Sequence, residues 1–243
     1  MRTPRLFSEQ PLLVGTEVVL EGSAAQYLGK VLRARAGDAV ILFDGQGQQG
    51  TATIKAITRH SVSAQLGTIT TPQTESSLQT HLGLCLSKGD RFDWAIQKAT
   101  ELGVSTISPL FSTRVDFTIP TERLAKRLAH WQQIVISACE QSGRVHIPTV
   151  NAPTLLTRWV SETVADTKLV LQCDAQSTPL PTTQPHSVAL LIGPEGGLTD
   201  EEVAAADRHQ FQPWQLGPRI LRTETAPVVA LSVIGAQWGD LSQ

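Results

Sequence analysis

Two loops carry the residues best suited to chemistry. The first, Gly193-Pro194-Glu195-Gly196-Gly197, follows the apolar run Val188-Ala189-Leu190-Leu191-Ile192 and precedes Thr199-Asp200-Glu201-Glu202. Three glycines in five residues permit positive φ and let a ligand approach bare backbone. A buried strand, a glycine loop and a capped helix, in that order, put the loop where open α/β sheets bind ligands. A tight strand-to-helix turn would use the same residues, and as an isolated pattern the two readings stand level. No Lys-Ser/Thr follows, so this is not a Walker loop, and the glycine spacing is not that of a dinucleotide fingerprint.

The second loop is Leu216-Gly217-Pro218-Arg219-Ile220-Leu221-Arg222-Thr223-Glu224-Thr225-Ala226. Thr223 as N-cap and Glu224 as a first-turn acid would serve an ordinary helix start. Arg222 does not fit that account, because a cation near a helix N-terminus is electrostatically unfavourable. A misplaced charge marks it as a functional candidate. No cluster of His, Cys and Asp has metal-ligand spacing, so no metal is expected. Cys85, Cys139 and Cys173 are an odd, scattered set in apolar segments, expected as buried core residues of a reducing compartment.

The elements around these loops change character once along the chain. Up to residue 70 the pattern is short and β-branched, with strands expected at 17–20, 39–43, 50–57 and 61–69 and one helix at 23–32 capped by Ser23. Closely spaced strands suggest a small barrel. The polar stretch from Thr70 to Ser77 reads as a boundary. Beyond it, strands at 82–86, 104–110, 168–173, 187–192 and 211–216 alternate with helices. Phe92, Ala95, Ile96, Ala99 and Leu102 make one helical face, and Thr121 opens a second helix running to about Gly143. A short helix at 155–160, a capping box at Thr199-Glu202 and a last helix from Thr223 to about Trp238 complete a mostly parallel α/β sheet.

Charge limits the partners. The 243 residues carry a formal net charge of -2, which excludes a protein that holds nucleic acid by bulk charge. Residues 1–70 hold 7 Lys/Arg against 5 Asp/Glu, and the remainder 13 against 17, so the first segment is net +2 and the second -4. Arg2, Arg5, Lys30, Arg33 and Arg35 cluster early, although a solvated surface explains charge alone better. No apolar run approaches the ~18 residues of a membrane span, and the first residues lack the apolar core of a secretory signal. A cytoplasmic protein is expected, without a membrane partner.

Taken together, Ile192 to Gly197 and Leu216 to Ala226 resemble the SPOUT methyltransferases, and within them the bacterial small-subunit (16S) ribosomal RNA uridine-N3 methyltransferases. Lys88-Gly89-Asp90-Arg91-Phe92-Asp93-Trp94-Ala95-Ile96-Gln97-Lys98-Ala99-Thr100-Glu101-Leu102-Gly103-Val104 is similar to that family's first helix. Glu140-Gln141-Ser142-Gly143-Arg144 and the opening Arg2-Thr3-Pro4-Arg5-Leu6-Phe7 also fit, so the likeness spans essentially the whole chain. The resemblance implies a PUA-like β-barrel RNA-binding domain over 1–72 and a SPOUT α/β domain over 73–243 with a C-terminal trefoil knot. General topology rules would not suggest a knot. It further implies S-adenosylmethionine as cofactor, a homodimer, and the small ribosomal subunit as partner.

On that footing Leu171, Leu191, Ile192, Gly193, Glu195, Gly196, Gly197, Leu216, Gly217, Ile220, Leu221, Arg222, Thr223, Thr225 and Ala226 are expected around the cofactor. S-Adenosylmethionine carries its own electrophile, so the protein must bind, orient and help a proton leave. Arg222 is expected as the catalytic residue, stabilising a developing uridine N3/O4 anion. Arg2, Arg5, Lys30, Arg33, Lys88, Arg91 and Arg144 are candidates for RNA phosphate. Two other classes remain open: a non-catalytic RNA-binding ribosome-assembly factor of the same fold, and a generic nucleotide-binding α/β enzyme. Intact glycines with Arg222 speak against the first, and the early basic cluster against the second.

Overall fold

The computed structural model describes residues 3–173 and 179–242. They form two compact units, one of residues 3–75 with Cys139–Ile147 and one of Ser76–Ala138 with residues 148–242. Arg2 lies outside the described residues.

In the first unit, β1 (Arg5–Phe7), β2 (Glu17–Glu21), α1 (Gly22–Gln26), β3 (Ala39–Phe43), β4 (Gln49–Ile57) and β5 (Ser61–Thr70) follow in order. The sheet runs β1-β3-β4-β5-β2 and is antiparallel except for β1 on β3. Strict alternation in β2 and β5 buries Val18, Leu20, Val62, Ala64 and Leu66 on one face, over a core shared with Val40, Leu42 and Ile54. Register shifts at Gly50/Ala52 and Ile54/Ala56 bend the long β4–β5 pair. β1 and β2 are both edges, so the unit is an open mixed sheet rather than the hydrogen-bond-closed barrel the strand count suggests.

The expected helix at 23–32 divides. Gly22, at φ +58°, turns the chain straight out of β2, and α1 starts there with Glu21 at its N-cap, so Ser23 does not cap it. A π-helical turn over Tyr27–Val31 completes the segment.

The second unit contains β6 (Gln79–Cys85), α2 (Arg91–Glu101), β7 (Thr106–Phe111), the first turns of α3 (Thr121–Ser142), β8 (Thr149–Val150), β9 (Thr154–Leu155), α4 (Leu156–Glu162), β10 (Thr167–Leu171), β11 (Ser187–Ile192), α5 (Asp200–Arg208), β12 (Gln212–Trp214) and α6 (Thr225–Trp238). All its strands are parallel, in the order β12-β10-β11-β6-β7-β8, with β9 also on β7. β11 is buried on both faces, as its unbroken apolar run requires. Leaving β11, the chain forms α5 and comes back to pair as β12 on the far side of β10. The strands β11, β10 and β12 therefore deliver their carboxyl ends side by side. α6 starts at Thr225 with Glu224 at its N-cap, two residues later than the sequence suggests, and Thr223 is buried instead of capping. No described helix is long and apolar enough to cross a membrane.

Two tryptophans fix helices to this unit. Trp131 is fully buried, 4.8 Å from the Phe92 ring, and donates Nε1 to Asp93 Oδ1 at 3.1 Å. Trp159 lies over Gly83, where an added Cβ would fall 2.6 Å from the indole, so only glycine fits. Trp159 Nε1 donates to His81 Nε2 at 3.1 Å, and Ser108 Oγ lies 2.8 Å from the same nitrogen. Burial lowers the His81 pKa from 6.5 to about 4, and the indole donor needs that nitrogen unprotonated.

The unfolded chain therefore takes up the His81 proton first as pH falls. The stability contributed by neutral His81 is complete above pH 6.5 and is lost as pH drops from 6.5 toward about 4. The loss amounts to about 3 kcal/mol at most. Urea unfolding followed from pH 7 to pH 4 should show this slope in the natural protein and a flatter one in His81→Gln; identical slopes would contradict it.

Candidate functional site

The carboxyl ends of β10, β11 and β12 surround a cleft with about 620 Å³ of free space, counting its open mouth. Leu171, Ile192, Gly193, Gly197, Leu216, Gly217, Leu221, Thr223 and Ala226, all picked from the sequence, line it. Both glycine loops are thus brought to one place by the crossover of α5. Gly193 is constrained by space, since a Cβ there would meet Leu198 at 3.0 Å. Gly217 is constrained by backbone, at φ +72°.

Six expected residues stand outside that lining. Leu191 is buried within β11, Ile220 is 84% exposed, and Arg222 is exposed. Thr225 opens α6, its N–H donating to the Arg222 carbonyl at 2.9 Å. Glu195 and Gly196 face a second cleft, lined also by Leu86, Lys88, Gly89, Arg91, Arg114, Asp116 and Phe117. There the Glu195 carboxylate accepts from Arg91 Nη1 at 2.9 Å, and Lys88 Nζ pairs with Asp116 at 3.4 Å.

Sequence reasoning missed Gln172, Cys173, Pro194, Leu198, Trp214, Gln215 and Arg219 in the first cleft. Strand ends carry the signal for several of them: Gln172 and Cys173 follow β10 directly, and Trp214 ends β12. Cys173 is exposed, not a core residue, because β10 stops at Leu171; Cys85 and Cys139 are buried, and burial pushes the Cys85 thiol up to about 12.

The glycine loop is held from outside the first cleft. Glu202 is 4% exposed and takes one N–H on each oxygen, from Thr113 at 2.7 Å and Thr199 at 2.9 Å. Its own N–H donates to Thr199 Oγ1 at 3.2 Å, completing the capping box of α5. Arg114 Nη1 donates to the Gly196 carbonyl at 2.7 Å and the Leu198 carbonyl at 3.2 Å.

A sequence profile described as the RNA methyltransferase domain matches residues 74–235, and one described as the RNA methyltransferase PUA domain matches residues 20–67. The chain belongs to the RNA methyltransferase family. It is 36% identical over 244 residues to a ribosomal RNA small subunit methyltransferase E of Buchnera aphidicola subsp. Schizaphis graminum, covering 99% of each chain. The namesake of Bacillus subtilis is 30% identical over 228 residues, covering 90% of this chain and 89% of that one. Among solved structures, the small subunit methyltransferase E of Neisseria gonorrhoeae bound to S-adenosyl methionine superposes with a TM-score of 0.87 at 37% identity, over 98% of this chain and 99% of that one. A Legionella pneumophila protein in complex with the cofactor SAM gives a TM-score of 0.95 at 40% identity, over 99% and 100%.

The basic residues of this RNA methyltransferase divide by environment. Arg5 and Arg144, expected at phosphate, are committed to protein. Arg5 donates Nη1 to the Cys139 carbonyl and Nη2 to the Arg144 carbonyl, each at 2.6 Å, and stacks 4.0 Å over the Phe43 ring. Arg144 is 7% exposed and donates Nε and Nη2 to Glu75 Oε2 at 3.0 and 2.7 Å. Glu75 Oε1 accepts the Val145 and His146 amides. By contrast Lys30, Arg33 and Arg35 are exposed on and after the π-helical turn, beside Tyr27 at 43% exposure. Gly29 packs toward Ile57, at the β4–β5 end where Arg59 is also exposed.

Removing one partner of a buried ion pair strands the other. Arg144→Ala should lower unfolding free energy by about 3 kcal/mol in urea titrations. The salt dependence of its RNA binding should stay that of the natural protein; a flatter slope at unchanged stability would return Arg144 to the phosphate contacts.

Proposed function

We propose that this methyltransferase moves a methyl group from S-adenosylmethionine to N3 of a specific uridine in small-subunit (16S) ribosomal RNA, with the assembled subunit as substrate in the cytoplasm. The observation that carries this is the cleft built from both glycine loops on three adjacent parallel strand ends. The S-adenosylmethionine reported with two structures similar along the whole chain supports it.

The lining suits that cofactor. Leu171, Ile192, Leu198, Trp214 and Leu221 offer apolar walls for an adenine, and the glycine loops leave main-chain edges for its polar atoms and the ribose hydroxyls. Arg219 supplies a cation for a carboxylate. Bound there, the cofactor would supply an activated methyl. The chain's own task is to place the uridine ring and stabilise the charge left as the N3 proton departs. Arg222 is assigned that charge: it is exposed beside the lining residues Leu221 and Thr223, and among the described residues no hydrogen bond holds its guanidinium. Lys88 and Arg91 would meet phosphate in the adjoining cleft, and Lys30 and Arg33 on the PUA unit.

Incubating the protein with labelled S-adenosylmethionine and unmodified small subunits should place label in one N3-methyluridine, read by nucleoside analysis of the rRNA. Gly193→Val, whose side chain collides with Leu198 in the cleft wall, should abolish both cofactor binding in calorimetry and labelling. Label in another nucleoside, or full affinity in the variant, would refute the assignment.

The trefoil knot and the two-fold dimer belong to the same proposal. α6 supports a dimer: Pro227, Ala230, Leu231, Ile234 and Trp238 bury one side, yet Val229, Val233 and Ala236 continue apolar on the other. An apolar stripe at this spacing needs a cover. Trp94, 43% exposed on the neighbouring α2, adds to the uncovered surface. Sedimentation at micromolar concentration should give dimers, and Val233→Asp with Ala236→Asp should give folded monomers with poor cofactor binding. A monomeric natural protein that methylates fully would overturn the dimer.

A further inference from the structure

We infer that Arg114 is a positioning residue for the cofactor loop, setting the backbone of residues 196–198 from the side facing the second cleft. The inference rests on the first cleft being the cofactor site. Arg114 belongs to the loop after β7, which meets the start of α5 and the glycine loop through two successive residues. The Thr113 amide is on Glu202, and the Arg114 guanidinium is on two loop carbonyls. The side chain lies along the loop: a Cβ on Gly196 would sit 3.4 Å from Arg114 Cβ and Cδ, and one on Gly197 3.7 Å from Nη1.

Fixing a carbonyl fixes its whole peptide plane. With the Gly196 carbonyl on Arg114, the Gly197 amide is set for its 2.9 Å bond to the Pro194 carbonyl. With the Leu198 carbonyl on Arg114, the Thr199 amide is set for Glu202. Pro194, Gly197 and Leu198, with Gly193, are also the part of the loop that lines the first cleft. The guanidinium thus shapes the cofactor wall without entering it. It is exposed, so its removal leaves no void in a core.

Arg114→Ala and Arg114→Lys separate this role from general stability. Bonds from a charged donor are among the stronger ones, so Arg114→Ala should weaken S-adenosylmethionine about tenfold in calorimetry. KM for the cofactor should rise while kcat at saturation stays near that of the natural protein. Lysine retains the charge and one donor and should recover part of the affinity. Hydrogen exchange of free Arg114→Ala should quicken at the Gly197 and Thr199 amides and nowhere else. Natural affinity in Arg114→Ala would overturn the inference. So would exchange that quickens evenly through the sheet without rescue by lysine. Failure of the natural protein to bind S-adenosylmethionine would instead overturn the cofactor assignment, while the exchange pattern would still report on Arg114.

Discussion

The register of three parallel strands is the constraint on which the site depends. Val170 of β10 is level with Leu191 of β11 and with Pro213 of β12, so the three chains leave the sheet within one residue of each other. β11 is flanked by β10 and β6, so α5 carries the chain past β10 to the free side of that strand, where β12 pairs. Two glycine loops separated by about twenty residues of sequence thereby become opposite walls of one cleft. A slip of one residue in β12 would turn Trp214 to the other face of the sheet and open the floor of the cleft.

Glycine at these loops supplies conformational freedom, which by itself is a disadvantage, because a free loop loses entropy on binding. The structure removes that freedom from outside. Glu202, buried with an N–H on each oxygen, ties the start of α5 to the loop after β7, and Arg114 ties the preceding carbonyls. The ligand face of the loop keeps only backbone and small or apolar side chains. The polar groups that hold it lie behind.

Much of this was legible in the sequence, and the exceptions have physical causes. Periodicity located the longer strands and the helices, and the Thr199–Glu202 capping box formed as read. β1, β8 and β9 were missed because strands of two or three residues carry no periodic signal. Glycine patterns found the backbone walls of the cleft, but patterns cannot show which way a side chain turns. Glu195, between glycines, turns to Arg91 in the neighbouring cleft. Gln172, Cys173 and Arg114 come from strand ends and loops far away in sequence, so only the sheet order brings them in. Arg5 and Arg144 sit in segments that look basic and exposed, yet their partners, Glu75 and two main-chain carbonyls, are 69 to 139 residues distant.

The same distinction decides which cations a polyanion can recruit from a protein of net charge -2. Arg144 is paired while nearly inaccessible, and parting it from Glu75 would leave an uncompensated buried charge. No phosphate contact at the surface offsets that. Lys88 and Arg91 are paired too, but their side chains are 64% and 49% exposed, and their acids 78% and 40%. Exposed pairs of this kind contribute about 0–1 kcal/mol, so exchanging a carboxylate for a phosphodiester costs little. Each such exchange also releases counterions from the nucleic acid, which favours it further. Burial, more than the presence of a partner, therefore sorts the arginines of this chain into those that hold the protein together and those free to meet RNA.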